Sequence, residues 1–201
     1  MKRAYEFFNE SICFLIRYDF CEVNMILWSI QHELAYEKMR QTGVLRADRN
    51  FILEGGFGNS YQWMTEQMKK RIGEPPEGVL FPVWAWYQWD GKRKRPDMRV
   101  HGRGWCRTGT PIVLLTIEVA DELVLLSDFD YWHCVLNDGE IILPYDDAVV
   151  YSEEEKRKSW ENIFDISCSF DGEVHRSFST QATMWEIKSG WVKKVEHFVS
   201  R

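Results

Sequence analysis

The spacing of hydrophobic positions changes several times along the chain, and each change predicts a new secondary-structure element. Short apolar runs, and runs that alternate apolar with polar residues, indicate β-strands, whereas apolar residues three and four apart indicate helices. Strands are predicted at Met25–Ile30, Phe81–Trp89, Pro111–Val119, Glu122–Leu126, Glu140–Leu143, Thr180–Lys188 and Val192–Val199. Helices are predicted at Gln31–Thr42, from Asn59 or Ser60 to Ile72, in a short segment after Ser127, and at Ser152–Phe164. Because these elements mix without regular alternation, residues 25–201 are predicted to form a single α+β domain with small, mostly antiparallel sheets and three to four helices.

Polar residues mark the starts of two predicted helices. Ser127-x-x-Asp130 and Ser152-x-x-Glu155 have the spacing of a capping box, in which the first side chain accepts a backbone N–H from the last residue. Both sequences therefore predict a helix start.

The remaining segments show no clean period. Asp48–Ser60 and Ser167–Ser177 are polar and are predicted to be loops. Residues 1–24 are predicted to be either an N-terminal extension with a short helix or a non-native leader ahead of Met25, and we favour the leader.

The strand at Phe81–Trp89 carries most of the aromatic side chains of its region. Strand alternation places Trp84, Trp86 and Gln88 on one face, and Val83, Ala85, Tyr87 and Trp89 on the other. Both faces are large and mostly apolar, which predicts an interior strand whose tryptophans are largely structural.

The sequence from Lys92 to Arg107, here called the basic segment, follows this strand directly. It contains seven cations and one anion, Asp97, in a chain whose formal net charge is -6. A local positive charge in an acidic protein favours a small anion or a short stretch of nucleic acid over a long duplex, because exposed charges more than about 10 Å apart are largely screened.

Arginine and tryptophan side chains suit such a ligand. Arg93, Arg95 and Arg99 are predicted to hold phosphates, and Trp86 or Trp89 is predicted to stack a planar ring. Two alternatives stay open, namely a solvated charged loop and a non-enzymatic module that docks an acidic protein or RNA through the basic segment.

Other chemistry-bearing residues have simpler structural interpretations. The glycine cluster from Glu54 to Asn59 could cradle an anion, but it lacks a P-loop lysine and is predicted to be a flexible connection. Adjacent side chains on a helix diverge, so His133 and Cys134 do not predict a nucleophile–base pair, and His133 is predicted to pack on an apolar face.

The cysteines and the length of the apolar runs indicate where the protein resides. Five cysteines without a C-x-x-C pair predict reduced thiols in the cytoplasm, no disulfide framework and no metal site. No apolar run approaches the roughly 20 residues needed to span a bilayer.

Several blocks together resemble an uncharacterised bacterial family, domain of unknown function 3841. They are Leu27–Gln31, Gly43–Asp48, Trp63–Met68, Trp84–Trp89 with Lys92–Asp97, Leu125–Asp130 with Trp132-His133, and Ser159–Asp165. The resemblance covers most of the chain from Met25 onward, and it implies membership without an activity.

The order of the elements is also similar to that of ADP-ribosyltransferase-like domains, which bind NAD between two small sheets. That resemblance implies NAD as a possible ligand, contacts from Gln31, and catalytic positions at Ser29 and near Gln181. Neither position holds the residue expected of the family, and a neutral Gln cannot stabilise developing positive charge as a carboxylate does. Asp128 and Glu186 are then the alternative catalytic candidates.

Overall fold

A computed structural model describes residues 24–102, 106–141, 151–167, 169–170, 173–174 and 178–201. The predicted leader at residues 1–24 lies outside this part of the chain except for Asn24, and the predicted strand at Glu140–Leu143 lies half outside it. The strands are β1 Asn24–His32, β2 Val44–Leu45, β3 Val83–Gln88, β4 Pro111–Ala120, β5 Leu125–Asp128, β6 Ser169–Phe170, β7 Glu173–Val174, β8 Thr180–Met184, β9 Ile187–Lys188 and β10 Val192–Val199. The helices are α1 Glu33–Thr42, α2 Arg49–Glu54, α3 Gly58–Arg71, α4 Met98–His101, α5 Phe129–Leu136 and α6 Glu153–Ser159, with 3-10 turns at Asp121–Leu123, Trp160–Phe164 and Ser189–Trp191.

Six antiparallel strands form the central sheet, in the order β10-β4-β1-β3-β8-β5. Two-stranded pairs, β2 with β9 and β6 with β7, complete the sheets of the described residues. The predicted fold class, α+β with small and mostly antiparallel sheets, is confirmed.

The junction between β1 and β3, here called the seam, is much weaker than its neighbours. Every residue of β1 pairs with β4, whereas Trp28 with Trp86 is the register pair that joins β1 to β3. Side chains supplement the missing ladder, since the Ser29 hydroxyl donates to the Trp84 carbonyl over 2.7 Å. The sheet is therefore two three-stranded halves joined at the seam.

Alternation along the strands divides the core into two layers. On one side, Met39 of α1 packs with Leu27, Leu115 and Ala182, and we call this the α1 face. On the other, here the α3 face, Met64 and Met68 of α3, Trp132 of α5 and Trp160 pack with Trp84 and Leu125. A third cluster, which includes Trp28, Trp86, Ile112 and Leu114, continues the α3 face toward β10.

The four predicted helices are present, and two short ones were not predicted. Helix α2 lies within the predicted loop Asp48–Ser60, and α4 is a single turn capped by the Asp97 side chain. Both are too short to show a helical period in the sequence. The predicted helix Ser152–Phe164 becomes α6 followed by a 3-10 turn, and the capping box of Ser152 and Glu155 is confirmed.

Three local predictions are wrong. Helix α5 is capped by Asp128, whose carboxylate accepts from the Tyr131 N–H, and Ser127 instead lies in β5. The predicted strand Glu122–Leu126 begins with a 3-10 turn and starts as a strand only at Leu125. The predicted loop Ser167–Ser177 contains the hairpin of β6 and β7.

Two side chains lie elsewhere than their periodicity predicts. A β-bulge between Trp86 and Gln88 shifts the alternation by one residue, so the centroid of the Trp89 ring lies 4.5 Å from that of the Trp86 ring on the α3 face. His133 is exposed rather than packed, because Trp132 and Val135 form the buried face of α5. Its ring contacts that of Phe129 in a T-shaped arrangement, and its Nδ1 lies 2.9 Å from the Phe129 carbonyl oxygen.

Candidate functional site

The basic segment begins at a tight turn that reverses the chain after β3. Asp90 and Gly91 have φ angles of 51° and 67°, and the backbones of Trp89 and Lys92 exchange hydrogen bonds of 3.2 and 2.9 Å. Two consecutive positive φ angles define the hairpin turn that Asp-Gly favours. This turn returns the basic segment across the edge of the seam.

Arg93 is bound at the seam. Its guanidinium donates to the Tyr87 carbonyl over 2.7 Å and to the Ile26 carbonyl, which belong to β3 and β1 respectively. The same group lies 3.9 Å from the Tyr87 ring centroid and 5.1 Å from that of Trp28. Arg93 thus links the two halves of the sheet where their backbone ladder is short.

Arg95 is fixed to the edge strand β10. Its Nε and Nη2 donate to the two carboxylate oxygens of Glu196 over 2.8 and 3.1 Å, and Nη1 donates to the Pro96 carbonyl. The Arg95 guanidinium is the largest cause that holds the pKa of Glu196 below its usual value. A bidentate pair fixes the plane of the guanidinium as well as its position.

Arg99 forms a local and exposed pair with the residue that caps its own helix. Its Nη2 lies 2.6 Å from an Asp97 carboxylate oxygen, while 82% of the Arg99 side chain is exposed. Hydrogen bonds from Arg99 hold the pKa of Asp97 well below its usual range. Exposed pairs of this kind contribute little stability to the fold.

Two adjacent concavities lie along the basic segment. The first, the arginine groove, has a volume of about 730 Å³ and carries the side chains of Arg95, Arg99, Arg201, Met98, His197 and Phe198. The second, the Trp89 pocket, has a volume of about 220 Å³ and is lined by Trp89, Lys92, Lys94, Arg95, Pro96 and Val100 among others. Arg95 and Asp97 line both, so the indole ring of Trp89 and the guanidinium groups of the arginine groove have these two residues as common neighbours.

The groove also contains a histidine–carboxylate pair. His197 Nδ1 lies 2.9 Å from Glu33 Oε1, and the His197 ring packs edge-on against Tyr36. Arg201, in contrast, makes no ion pair with any described residue. Its guanidinium is the groove cation with the least competition from protein carboxylates.

The other predicted ligand contacts are not part of this surface. Trp86 is 3% exposed and lies between Trp89 and Phe129. Gln181 pairs with Trp86 in register and shares its face of the sheet. Gln31 is adjacent in register to Val113, on the α1 face, and donates to the Ser29 hydroxyl over 2.7 Å. The sheet therefore separates Gln31 from Gln181.

The two carboxylate candidates, Asp128 and Glu186, are also apart from one another. Asp128, which is 5% exposed, caps α5 beside Thr180 at one end of β8. Glu186 follows the other end of β8, and each residue of a strand adds roughly 3.3 Å to this separation. Its carboxylate accepts a hydrogen bond from the Arg46 guanidinium over 3.0 Å. Asp128 and Glu186 thus have structural partners at opposite ends of the strand.

A family model with the description "Domain of unknown function (DUF3841)" matches residues 26–158 of the chain, which is more than half of its length. The chain belongs to the DUF3841 family. The match includes β1, the seam, the basic segment and α5, and it ends before β8 and β10. Neither the curated proteins nor the solved structures contain a match to the DUF3841 chain.

The residues of the DUF3841 groove that sequence reasoning missed all come from distant parts of the chain. His197, Phe198 and Arg201 reach the basic segment because β10 pairs with β4, which brings Phe198 beside Ile112. Glu33 follows β1, whose last residue, His32, pairs with the same Ile112. The alternation of Val192–Val199 predicted a strand, but no local pattern indicates which strand it joins.

Burial shifts the pKa of two other polar groups in the described part of the DUF3841 domain. Burial raises the pKa of the Cys134 thiol, which disfavours the thiolate that a nucleophile requires. Burial, followed by the Asp128 carboxylate, raises the pKa of Asp130. Among the described residues no three His, Cys, Asp or Glu side chains group as metal ligands, and no helix there is both long and apolar enough to cross a bilayer.

Proposed function

We propose that this DUF3841 protein binds a nucleotide-type anionic ligand, either NAD-like or borne by a short nucleic acid, across the Trp89 pocket and the arginine groove. The observation that carries the proposal is the sharing of Arg95 by both concavities. A planar ring stacks on Trp89, and the phosphates lie against Arg95, Arg99 and Arg201.

The charges and the size of the surface support this arrangement. Arg201 is free of ion pairs within the described residues, and the Arg99–Asp97 pair is exposed, so both can accept an anion without breaking a buried contact. Arg95 stays oriented by Glu196 and needs no rearrangement to meet a phosphate. A volume of about 730 Å³ lies within the range of about 300–1,000 Å³ that small-molecule sites occupy.

The proposal is one of binding rather than of a reaction. Asp128 caps the N-terminus of α5, and Glu186 pairs with Arg46. Gln181 lies in the sheet beside Trp86. Ser29 and Gln181, the positions that an ADP-ribosyltransferase-like architecture would use, lie on opposite faces of the sheet. An NAD-like ligand is therefore expected to be retained without turnover.

Calorimetry with NAD, ADP-ribose, inorganic pyrophosphate and a short oligonucleotide tests the proposal. Arg99→Ala and Arg201→Ala should each weaken the binding of every phosphate ligand by about tenfold or more, because a charge-assisted hydrogen bond contributes about 1.5–3 kcal/mol. Lys158→Ala, an exposed cation of α6, is the matched control and should bind as the wild type does.

A second variant separates the ring from the phosphates. Trp89→Leu should weaken NAD and ADP-ribose but leave pyrophosphate unchanged, since stacking on an aromatic ring contributes about 1–3 kcal/mol per base. The proposal is wrong if no ligand binds below about millimolar concentration, or if Arg99→Ala and Lys158→Ala bind equally.

The docking of an acidic protein or RNA is the second candidate. Lys92 and Lys94 are exposed beside the Trp89 pocket, and Lys94 makes no ion pair with a described residue. A macromolecule that is retained at physiological salt and released at high salt, together with no affinity for the mononucleotides, favours this candidate.

A further inference from the structure

The edge strand β10 carries a pattern of side chains that is complementary to itself. It is the terminal strand of the six-stranded order, and one of its two edges pairs with β4. No described element pairs with its outer edge, so about half of its residues direct N–H and C=O groups outward. Such an edge is a template for another strand.

We propose that the outer edge of β10 pairs antiparallel with β10 of a second copy of this chain, with Val195 on the two-fold axis. In this register each Lys194 lies opposite the Glu196 of the other copy, and the two Val195 side chains lie opposite one another. Opposite charges and β-branched pairs directly across an antiparallel ladder are stabilising. The six-stranded sheet becomes a continuous sheet of two copies.

The alternatives in register are less favourable. A two-fold axis on Glu196 would place two carboxylates opposite one another, which is destabilising. An axis on His197 would place each Glu196 opposite a Phe198, so the Lys194–Glu196 pairs between the two copies would be lost. A β-bulge between Val192 and Lys194 interrupts the strand, so its regular alternation extends from Lys194 to Val199. Within this regular part, Lys194, Val195 and Glu196 are the residues that set the proposed register.

The lysines of this edge do not prevent pairing by their charge. Lysine on an edge strand normally opposes association. Here Lys193 pairs with Glu118 over 2.7 Å, and Lys194 lies 3.2 Å from the Glu196 carboxylate, which also binds Arg95. In the proposed register each Glu196 also faces the Lys194 of the second copy, so the Lys194–Glu196 contact within one chain becomes part of a network of both chains.

Self-pairing would also bring a lysine of the second copy to the edge of the arginine groove. The proposed register places the Lys193 of a second copy opposite His197, which lines the groove. Pairing itself depends only on the β10 edge, so it is tested without any ligand.

Disulfide cross-linking tests the register. Val195→Cys should form a disulfide between two copies on mild oxidation, since directly opposed residues have the separation that a disulfide requires, whereas Lys194→Cys should not. Peptide mapping distinguishes the bond between the two introduced thiols from any bond that involves a native cysteine. Equal cross-linking of both variants, or cross-linking of Lys194→Cys alone, overturns the proposal.

Solution mass tests the association itself. The wild type should show a concentration-dependent dimer in analytical ultracentrifugation, and Lys194→Glu should raise its dissociation constant by about tenfold or more because two attractive pairs become repulsive. Lys194 is exposed, so the folded monomer should keep its circular dichroism spectrum. A wild type that stays monomeric over the dilution series, or one that pairs only with an added acidic peptide, refutes the second copy as the occupant.

Discussion

Replacing Arg93 with alanine should destabilise the fold itself, although Arg93 is one of four consecutive surface cations. Its guanidinium donates to the carbonyls of Tyr87 and Ile26 on either side of the seam and lies over the Tyr87 ring. Removing it takes away two hydrogen bonds, one to each half of the sheet, at a junction with one register pair.

The magnitude follows from these contacts. A hydrogen bond from a charged donor contributes about 1.5–3 kcal/mol when buried, and we take about 1 kcal/mol for each here because Arg93 is exposed and water can replace it. The cation–π contact adds about 0.5–1 kcal/mol. Arg93→Ala should therefore lower the free energy of unfolding by about 2.5–3 kcal/mol, which corresponds to a fall in Tm of roughly 5–12 °C for a chain of this size.

Urea denaturation followed by tryptophan fluorescence measures this effect. Arg93→Lys should lose about half as much stability, because one ammonium group cannot satisfy both carbonyls with the geometry of a guanidinium. Arg99→Ala is the matched control and should leave the unfolding midpoint almost unchanged, since its pair with Asp97 is exposed. If Arg93→Ala unfolds at the same urea concentration as Arg99→Ala, the seam does not depend on Arg93, and a role in ligand binding becomes the better account of that residue.

Two further predictions concern Asp128 and Glu196. Asp128→Ala should lower the free energy of unfolding by about 1 kcal/mol because α5 loses its N-cap. Asp128→Asn should retain most of the stability, since Asn also caps helices. Equal thermal unfolding of the two variants would contradict the capping role. Arg95 holds the pKa of Glu196 below the usual 4.5, so Glu196 stabilises the fold above pH 4.5 and loses this contribution as the pH falls through its lowered native pKa. Glu196→Gln should be less stable than the wild type at pH 7, and the difference in denaturation midpoint should shrink in acid; a difference that is constant with pH would refute the ion pair as its cause.

The sequence determined the elements that depend on neighbours along the chain. Local patterns predict the strands β1, β4 and β10 and the helical spacing of Met64 and Met68, because side-chain positions repeat every two residues in a strand and every 3.6 in a helix. The capping box of α6 and the Asp-Gly turn are also local, because their residues act on nearby backbone groups and on their own dihedral angles. The α+β class follows from their order. The positive charge after β3 can also be predicted from the sequence, because its cations are close neighbours along the chain.

The partners of that charge were decided by tertiary structure alone. Glu196 is about 100 residues from Arg95 in the chain, and only the pairing of β10 with β4 brings the two together. The β-bulge that turns Trp89 toward Trp86, and the splayed seam that Arg93 bridges, also depend on how whole strands pair. A cluster of cations in sequence therefore predicts where an anion could bind, but the fold assigns Arg93 to the sheet and Arg95, Arg99 and Arg201 to the groove, because hydrogen-bond acceptors from remote strands compete for each guanidinium.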